Sequence, residues 1–210
     1  TQLIEDRITK HEALRARGIA PYAYRFDVTQ CSVVARELFE QVEAEGATET
    51  EPVRVAGRIM SIRTHGKVSF VDVADREGRI QLFLRQNAVS NYDLLPLIDP
   101  GDWLGAEGPL FRTRAGEVSI QVTSMELLAK SLRPLPIAKE ELDEATGQRI
   151  VHGGFADVEQ RYRQRYADLA VNPDVRRVFL TRSKVVSTMR RILDARGYVR
   201  VNERLETTAS

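Results

Sequence analysis

Cysteine is almost missing from this 210-residue chain: Cys31 stands alone, which excludes an internal disulfide and any zinc site built on thiolates. Histidine is as sparse, and His11, His65 and His152 lie too far apart for metal-ligand spacing. Excess charge is lacking too, since a net +1 gives no overall basic field that would announce a polyanionic partner. No apolar run approaches a membrane span and no signal-peptide pattern opens the chain, so a cytoplasmic protein is expected. There is no Gly-rich phosphate loop, no Ser/His/Asp set and no carboxylate pair, so no catalytic residue and no metal ligand is assigned. The first residue is Thr1 rather than Met, from which a true N-terminus further upstream is expected.

What is present is a globular composition, 42% hydrophobic and 29% charged, with room for one ordinary domain and part of a second. Charge is unevenly spread. Residues 159–200 hold eleven Lys/Arg against four Asp/Glu, whereas residues 32–51 hold one Arg and six Glu, so the two ends of the chain differ in character. Helical spacing of Leu3, Ile4, Ile8, His11 and Leu14 predicts a first helix, stopped by Gly18 and Pro21. A second is expected over 32–45, starting at Ser32 as N-cap and ending at Gly46.

The stretch from 53 to about 129 organises the rest. Val53, Val55, Gly57 and Ile59 alternate with Arg54, Ala56, Arg58 and Met60, predicting a strand with a bend or bulge at Gly57. Residues 68–74 and 79–84 read as two adjacent strands joined by Asp75-Arg76-Glu77-Gly78. If Val71 and Val73 face a core, Phe70 faces out; if Ile80, Leu82 and Leu84 face it, Gln81, Phe83 and Arg85 face out. Alternation alone also admits the reverse, with Val68 and Phe70 inside. A short helical turn over 91–97, a fourth strand over 102–111, a turn at 114–116 and a fifth strand over 117–122 complete the unit. Five strands with a helix between the third and fourth predict an α+β, mainly β fold: an OB-fold barrel behind N-terminal helices. Its outward ring, amide and arginines make up a platform for single-stranded nucleic acid.

Ser131-Leu132-Arg133-Pro134-Leu135-Pro136 reads as a domain boundary. Residues 137–156 look like a surface connector. A helix over 157–169 interleaves arginine and tyrosine, which fits either RNA contact or the cover of a domain junction. A longer helix, about 175–196, carries an apolar stripe of Val175, Val178, Phe179, Val185, Val186, Met189, Ile192 and Leu193, and a strand is expected at 198–201.

Arg133-Pro134-Leu135-Pro136, followed by Arg161-Tyr162-Arg163-Gln164-Arg165-Tyr166 and Asp168-Leu169, resembles the segment joining the anticodon-binding and catalytic domains of bacterial class II lysyl-tRNA synthetases. Ala56-Gly57-Arg58, Gly66-Lys67-Val68-Ser69-Phe70-Val71 and Gly78-Arg79-Ile80-Gln81-Leu82 resemble the same family. The resemblance implies a helical extension over 1–52, an OB-fold anticodon-binding domain over 53–130, a linker over 131–158, and the helical start of the catalytic domain over 159–210. It implies the uridine-rich anticodon loop of lysine tRNA as partner. Phe70 would stack on the central base and Gln81 would bond its edge. Arg58 and Arg63 would meet phosphate or flanking bases, and Glu117 another anticodon base unless it is merely a solvated hairpin residue. The helix 175–196 corresponds to the family's motif 1, a homodimer interface, although the same stripe also suits ordinary core packing. The family's reaction joins lysine, ATP and tRNA, with ATP and Mg2+ implied for the full enzyme. Motifs 2 and 3, which bind ATP, lie downstream in the family, so this chain alone is expected to be inactive. Arg204 stands where motif 1 normally leads into proline. A free-standing tRNA-binding or regulatory paralogue without catalysis is the other reading.

Overall fold

Extended backbone puts Val53, Val55, Gly57 and Ile59 on one face and Arg54, Ala56 and Arg58 on the other, so burying the first set fixes the strand's orientation. The computed structural model of the chain describes residues 2–137, 139–142, 149–152 and 155–199. In it this strand is β1 (Val53–His65), followed by β2 (Val68–Ala74), β3 (Arg79–Arg85), β4 (Trp103–Gly108), β5 (Leu110–Arg112), β6 (Val118–Gln121) and β7 (Ser124–Ala129). They form one sheet in the order β5-β6-β3-β2-β1-β4-β7. Every pairing is antiparallel except β3 with β6.

This is the OB-fold, with two differences from the five expected strands. Pro109 breaks the fourth strand into β4 and β5, because proline has no N–H for the ladder. The break closes the barrel: β4 pairs with β1 and β7, and β5 turns to pair with β6. At the corner Gln121 N–H donates to the Pro109 carbonyl at 2.8 Å and Thr123 N–H to the Glu107 carbonyl at 2.8 Å. Only glycine fits at Gly108, where a Cβ would sit 2.0 Å from the Gln121 carbonyl oxygen. The second difference is β7. Ser-Met-Glu-Leu-Leu-Ala is locally helix-prone, but pairing with β4 buries Met125 and Leu127 and overrides that preference.

The expected bulge at Gly57 is also displaced. Gly57 pairs regularly with Leu104; its missing side chain allows β2 to approach, since a Cβ would meet the Ala74 carbonyl oxygen at 3.0 Å. The register shift falls instead between Ile59 and Ser61. Inside the barrel Val71, Val73, Ile80, Leu82, Leu84, Leu104 and Ile120 are buried, which settles the inward face of β2 and β3. Truncating Leu82 to Ala would cost about 2–5 kcal/mol.

Two helices and a 3₁₀ turn (Tyr92–Leu97) flank the barrel. In α1 (Gln2–Ala16) Leu14 is buried, Arg7 donates to the carbonyls of Ser131 and Pro100 at 2.7 Å each, and Lys10 pairs with Asp99 at 2.6 Å. Behind them lies a buried pair, Lys130 Nζ to Asp102 Oδ2 at 2.7 Å, which tolerates burial because Asp102 also accepts from the Ser131 and Asp99 N–H groups. In α2 (Ser32–Ala44) the capping expectation is corrected. Cys31 is the N-cap and makes no side-chain bond, and Ser32 is already helical. The cap comes from the β2–β3 turn: Asp75 accepts from Ser32 N–H at 2.6 Å and from its hydroxyl at 2.8 Å. The same carboxylate takes the N–H groups of Glu77 and Gly78 at 2.8 Å each, so one side chain closes the turn and anchors the helix.

From Pro136 the chain forms a second compact unit. Part of the expected connector is a ribbon in which β8 (Lys139–Leu142) pairs antiparallel with β9 (Arg149–His152). The helix expected over 157–169 is split at Gln164 into α3 (Val158–Arg163), capped by Asp157 through Gln160 N–H, and α4 (Arg165–Val171). Next comes α5 (Pro173–Ala195), with Pro173 in its first turn and Gly197 at φ 82° beyond its end. Tyr198 and Val199 are in no strand, and the remainder of the expected strand, Arg204, and residues 143–148 of the expected connector lie outside the described residues.

Candidate nucleic-acid interface

The ladders align side chains from four or five strands in rows. β1 sets Arg63 opposite Phe70, β3 sets Phe83 opposite Phe70, and β6 sets Gln121 opposite Phe83. One row along, Ser61, Asp72, Gln81, Ser119 and Phe111 stand opposite one another in turn. Between these rows Val71, Leu82, Ile120 and Leu110 point into the core and are buried, so both rows lie on the outer face. Phe70 and Gln81 are therefore diagonal neighbours, on strands that the Asp75 turn locks together.

Aromatic contact continues along this face. The Phe70 ring centroid is 5.2 Å from that of Phe83, tilted by 46°, and Phe83 is 5.4 Å from Phe111, tilted by 55°. Such pairs are worth about 0.5–1.5 kcal/mol each beyond buried area, so Phe83 and Phe111 brace the Phe70 ring. The Arg85 guanidinium lies 5.1 Å from the Phe83 ring centre. Gln81 is braced as well: its amide oxygen accepts from the Ser119 hydroxyl at 3.0 Å.

The candidate arginines differ in freedom. Arg63 is half-exposed and donates to Asp72 Oδ2 at 3.0 Å, an oxygen that also accepts from the Ser61 hydroxyl. Arg58 stands opposite Ala74, one row beyond Gln81, with its guanidinium 5.0 Å from the Trp103 ring and one donor on the Gly101 carbonyl at 2.9 Å. Burial lowers its pKa against the opposing pull of Asp102; an arginine so placed keeps its charge. Glu117 lies in the β5–β6 turn, where Arg36 of α2 donates to it at 3.1 Å. The fold thus brings Phe70, Gln81 and Arg63 into adjacent rows, whereas Arg58 and Glu117 sit at the margins with partners of their own.

Sequence reasoning passes over Phe111 and Ser119. The signal exists: with Leu110, Val118 and Ile120 inward, alternation turns both residues outward. The arginine run of the second unit is largely accounted for within that unit. Arg161 Nε donates to Asp168 Oδ1 at 2.9 Å, Arg165 pairs with Asp168 Oδ2, Arg163 with Glu159 and Arg177 with Asp174. A hydrogen bond from Asn172 and then the two arginines hold the Asp168 carboxyl below its ordinary pKa, against the effect of burial.

Among the described residues no helix is long and apolar enough to cross a membrane. Residues 53–128 match the family described as OB-fold nucleic acid binding domain, and residues 157–204 match tRNA synthetases class II (D, K and N). The lysine–tRNA ligase of Moorella thermoacetica is 42% identical over 201 residues, covering 95% of this chain and 37% of that protein. That of Dehalococcoides mccartyi is 43% identical over 93% of this chain and 37% of its own length. The corresponding figures for Carboxydothermus hydrogenoformans are 41%, 95% and 38%. The chain is a homologue of the lysine–tRNA ligases along nearly all of its length, spans a little over a third of theirs, and carries an OB-fold nucleic-acid-binding domain.

Proposed function

We propose that the outer face of β1, β2 and β3 binds the anticodon loop of lysine tRNA, as part of a cytoplasmic lysine–tRNA ligase that joins lysine to that tRNA with ATP and Mg2+. Phe70 stacks on an anticodon base, replacing the stacking the base loses when it splays out. Gln81 bonds that base's edge, Arg63 and Arg58 meet phosphates or flanking bases, and Glu117 faces a neighbouring base once Arg36 releases it. The observation that carries this reading is the placement of Phe70 and Gln81 on one braced outer face, one row apart. Among the described residues no cluster of three or more His, Cys, Asp or Glu side chains is placed to hold a metal ion, and no step of lysine activation is assigned to them.

The test is a titration of the 210-residue chain with lysine tRNA at two salt concentrations. Phe70→Ala should weaken binding by about 1–3 kcal/mol with the salt slope unchanged. Arg63→Ala should lower the slope by about one phosphate contact. Binding and anticodon discrimination that survive both Phe70→Ala and Gln81→Ala would overturn the assignment.

A homodimer through α5 belongs to the same proposal. Its support is the exposed stripe of Val178, Phe179, Val185, Met189 and Ile192, of which Phe179 also meets the Arg165 guanidinium. Light scattering of wild type and Met189→Glu checks it: a dimer mass that falls to the monomer in the variant supports the interface, and a monomeric wild type refutes it for this chain.

A further inference from the structure

We infer that Ser119 is a positioning residue that sets which edge of a base Gln81 reads, and that it selects uracil over cytosine. The inference rests on the anticodon-binding role just proposed for this face. Ser119 lies on the outer side of β6, yet it is fully buried, opposite Gln81 on one side and Phe111 on the other. Cut off from water, its single hydroxyl hydrogen must go to an internal acceptor. Two are near. The Glu117 carbonyl is 3.4 Å away and already accepts from Thr113 N–H at 2.9 Å and from the Thr113 hydroxyl at 3.1 Å. The Gln81 amide oxygen is 3.0 Å away. The nearer acceptor, free of competing donors, takes the hydrogen, so the Gln81 oxygen is held by the barrel and its NH2 group is turned to the ligand.

A carboxamide fixed this way presents its NH2 donors to the ligand, with its oxygen turned back to the barrel. It complements a base carbonyl, such as O4 of uracil, and it opposes an exocyclic amine such as N4 of cytosine, where two donors would meet. Without the serine hydroxyl the amide can rotate by half a turn and satisfy either base. Ser119 thereby converts an ambidextrous side chain into a one-way reader, without touching RNA itself.

The experiment compares anticodon stem-loop RNAs carrying uridine or cytidine at the central anticodon position, titrated against the full chain and three variants. Wild type should prefer the uridine loop by about tenfold, the scale of one mismatched donor pair. Ser119→Ala should bring the ratio to within about twofold, mainly by tightening binding of the cytidine loop. Gln81→Glu keeps an oxygen for Ser119 and sets an acceptor where the NH2 was, so it should invert the preference. If Ser119→Ala weakens both loops equally, the hydroxyl only packs and the inference fails. If Gln81→Glu keeps the uridine preference, the amide is oriented the other way and the inference also fails. Phe70→Ala separates the two levels: loss of both loops upholds the site, whereas unchanged binding refutes the site itself rather than the role of Ser119.

Discussion

Replacing Asp75 with alanine should loosen the whole platform from a position that touches no RNA. Its carboxylate receives four hydrogen bonds: the N–H and hydroxyl of Ser32, and the N–H groups of Glu77 and Gly78. Glu77 is exposed and recovers water, but Ser32 is buried and does not. Bonds to a charged acceptor are worth about 1.5–3 kcal/mol each, and the bonds of one carboxylate are not additive. Loss of a helix cap costs about 0.5–2 kcal/mol, so a total near 3 kcal/mol follows for Asp75→Ala. Trp103, the single tryptophan, lies in β4 and reports on the barrel, so urea unfolding followed by its fluorescence measures the change. With a urea slope of about 1–3 kcal/mol/M, the midpoint should fall by about 1–3 M. The sign with pH is fixed as well. Burial raises the Asp75 pKa, but hydrogen bonds from Ser32, Gly78 and Glu77 overcome it and hold the group below its ordinary value. Its stabilisation is therefore complete above the unfolded-state pKa of about 3.9 and disappears as pH falls through the lower folded value, so wild type and variant should converge in acid. A loss under about 1 kcal/mol at neutral pH, below the usual worth of one such bond, would refute the role given to Asp75.

Three further outcomes follow from the geometry. Asp72→Asn releases Arg63 from its ion pair and removes a carboxylate beside its phosphate contact, so it should tighten tRNA binding with the salt slope little changed, read from titrations at several salt concentrations. Gly108→Ala drives a methyl group into the Gln121 carbonyl and should cost more than about 3 kcal/mol or abolish folding of the barrel, checked by urea unfolding and solubility. Asp168→Ala leaves Arg161 and Arg165 without their shared carboxylate and should lower the thermal midpoint of helical circular dichroism. Because Asp168 titrates below its ordinary range, wild type should lose the same stabilisation as pH falls through that lowered value.

The barrel is readable from the chain wherever period-two alternation is strict. Val71, Val73, Ile80, Leu82 and Leu84 are all buried, and that parity alone turns Phe70 and Gln81 outward. It is least readable where a contact remote in sequence decides the local conformation. Nothing near Ser32 reveals that its cap arrives from Asp75, 43 residues on. Nor does local propensity show that Ser124–Ala129 exchanges a helical tendency for a ladder with β4. Gly57 signals a special backbone position, but sequence cannot tell a bulge from a close approach by Ala74. The arginines of α3 and α4 fit either RNA contact or the cover of a junction by sequence, which does not reveal the buried Asp168 that engages two of them.

The irregularity between Ile59 and Ser61 bears on the two cations of β1. Arg58 and Arg63 are an odd number of residues apart, and in an unbroken pleat they would project from opposite sides of the sheet. A single surplus residue in the ladder resets the phase, so that Ile62 turns inward while both guanidinium groups reach the same solvent face. Their partnership is a matter of phase: excising Met60 would set them four residues apart, and a regular pleat would then hold both on the same face without the irregularity.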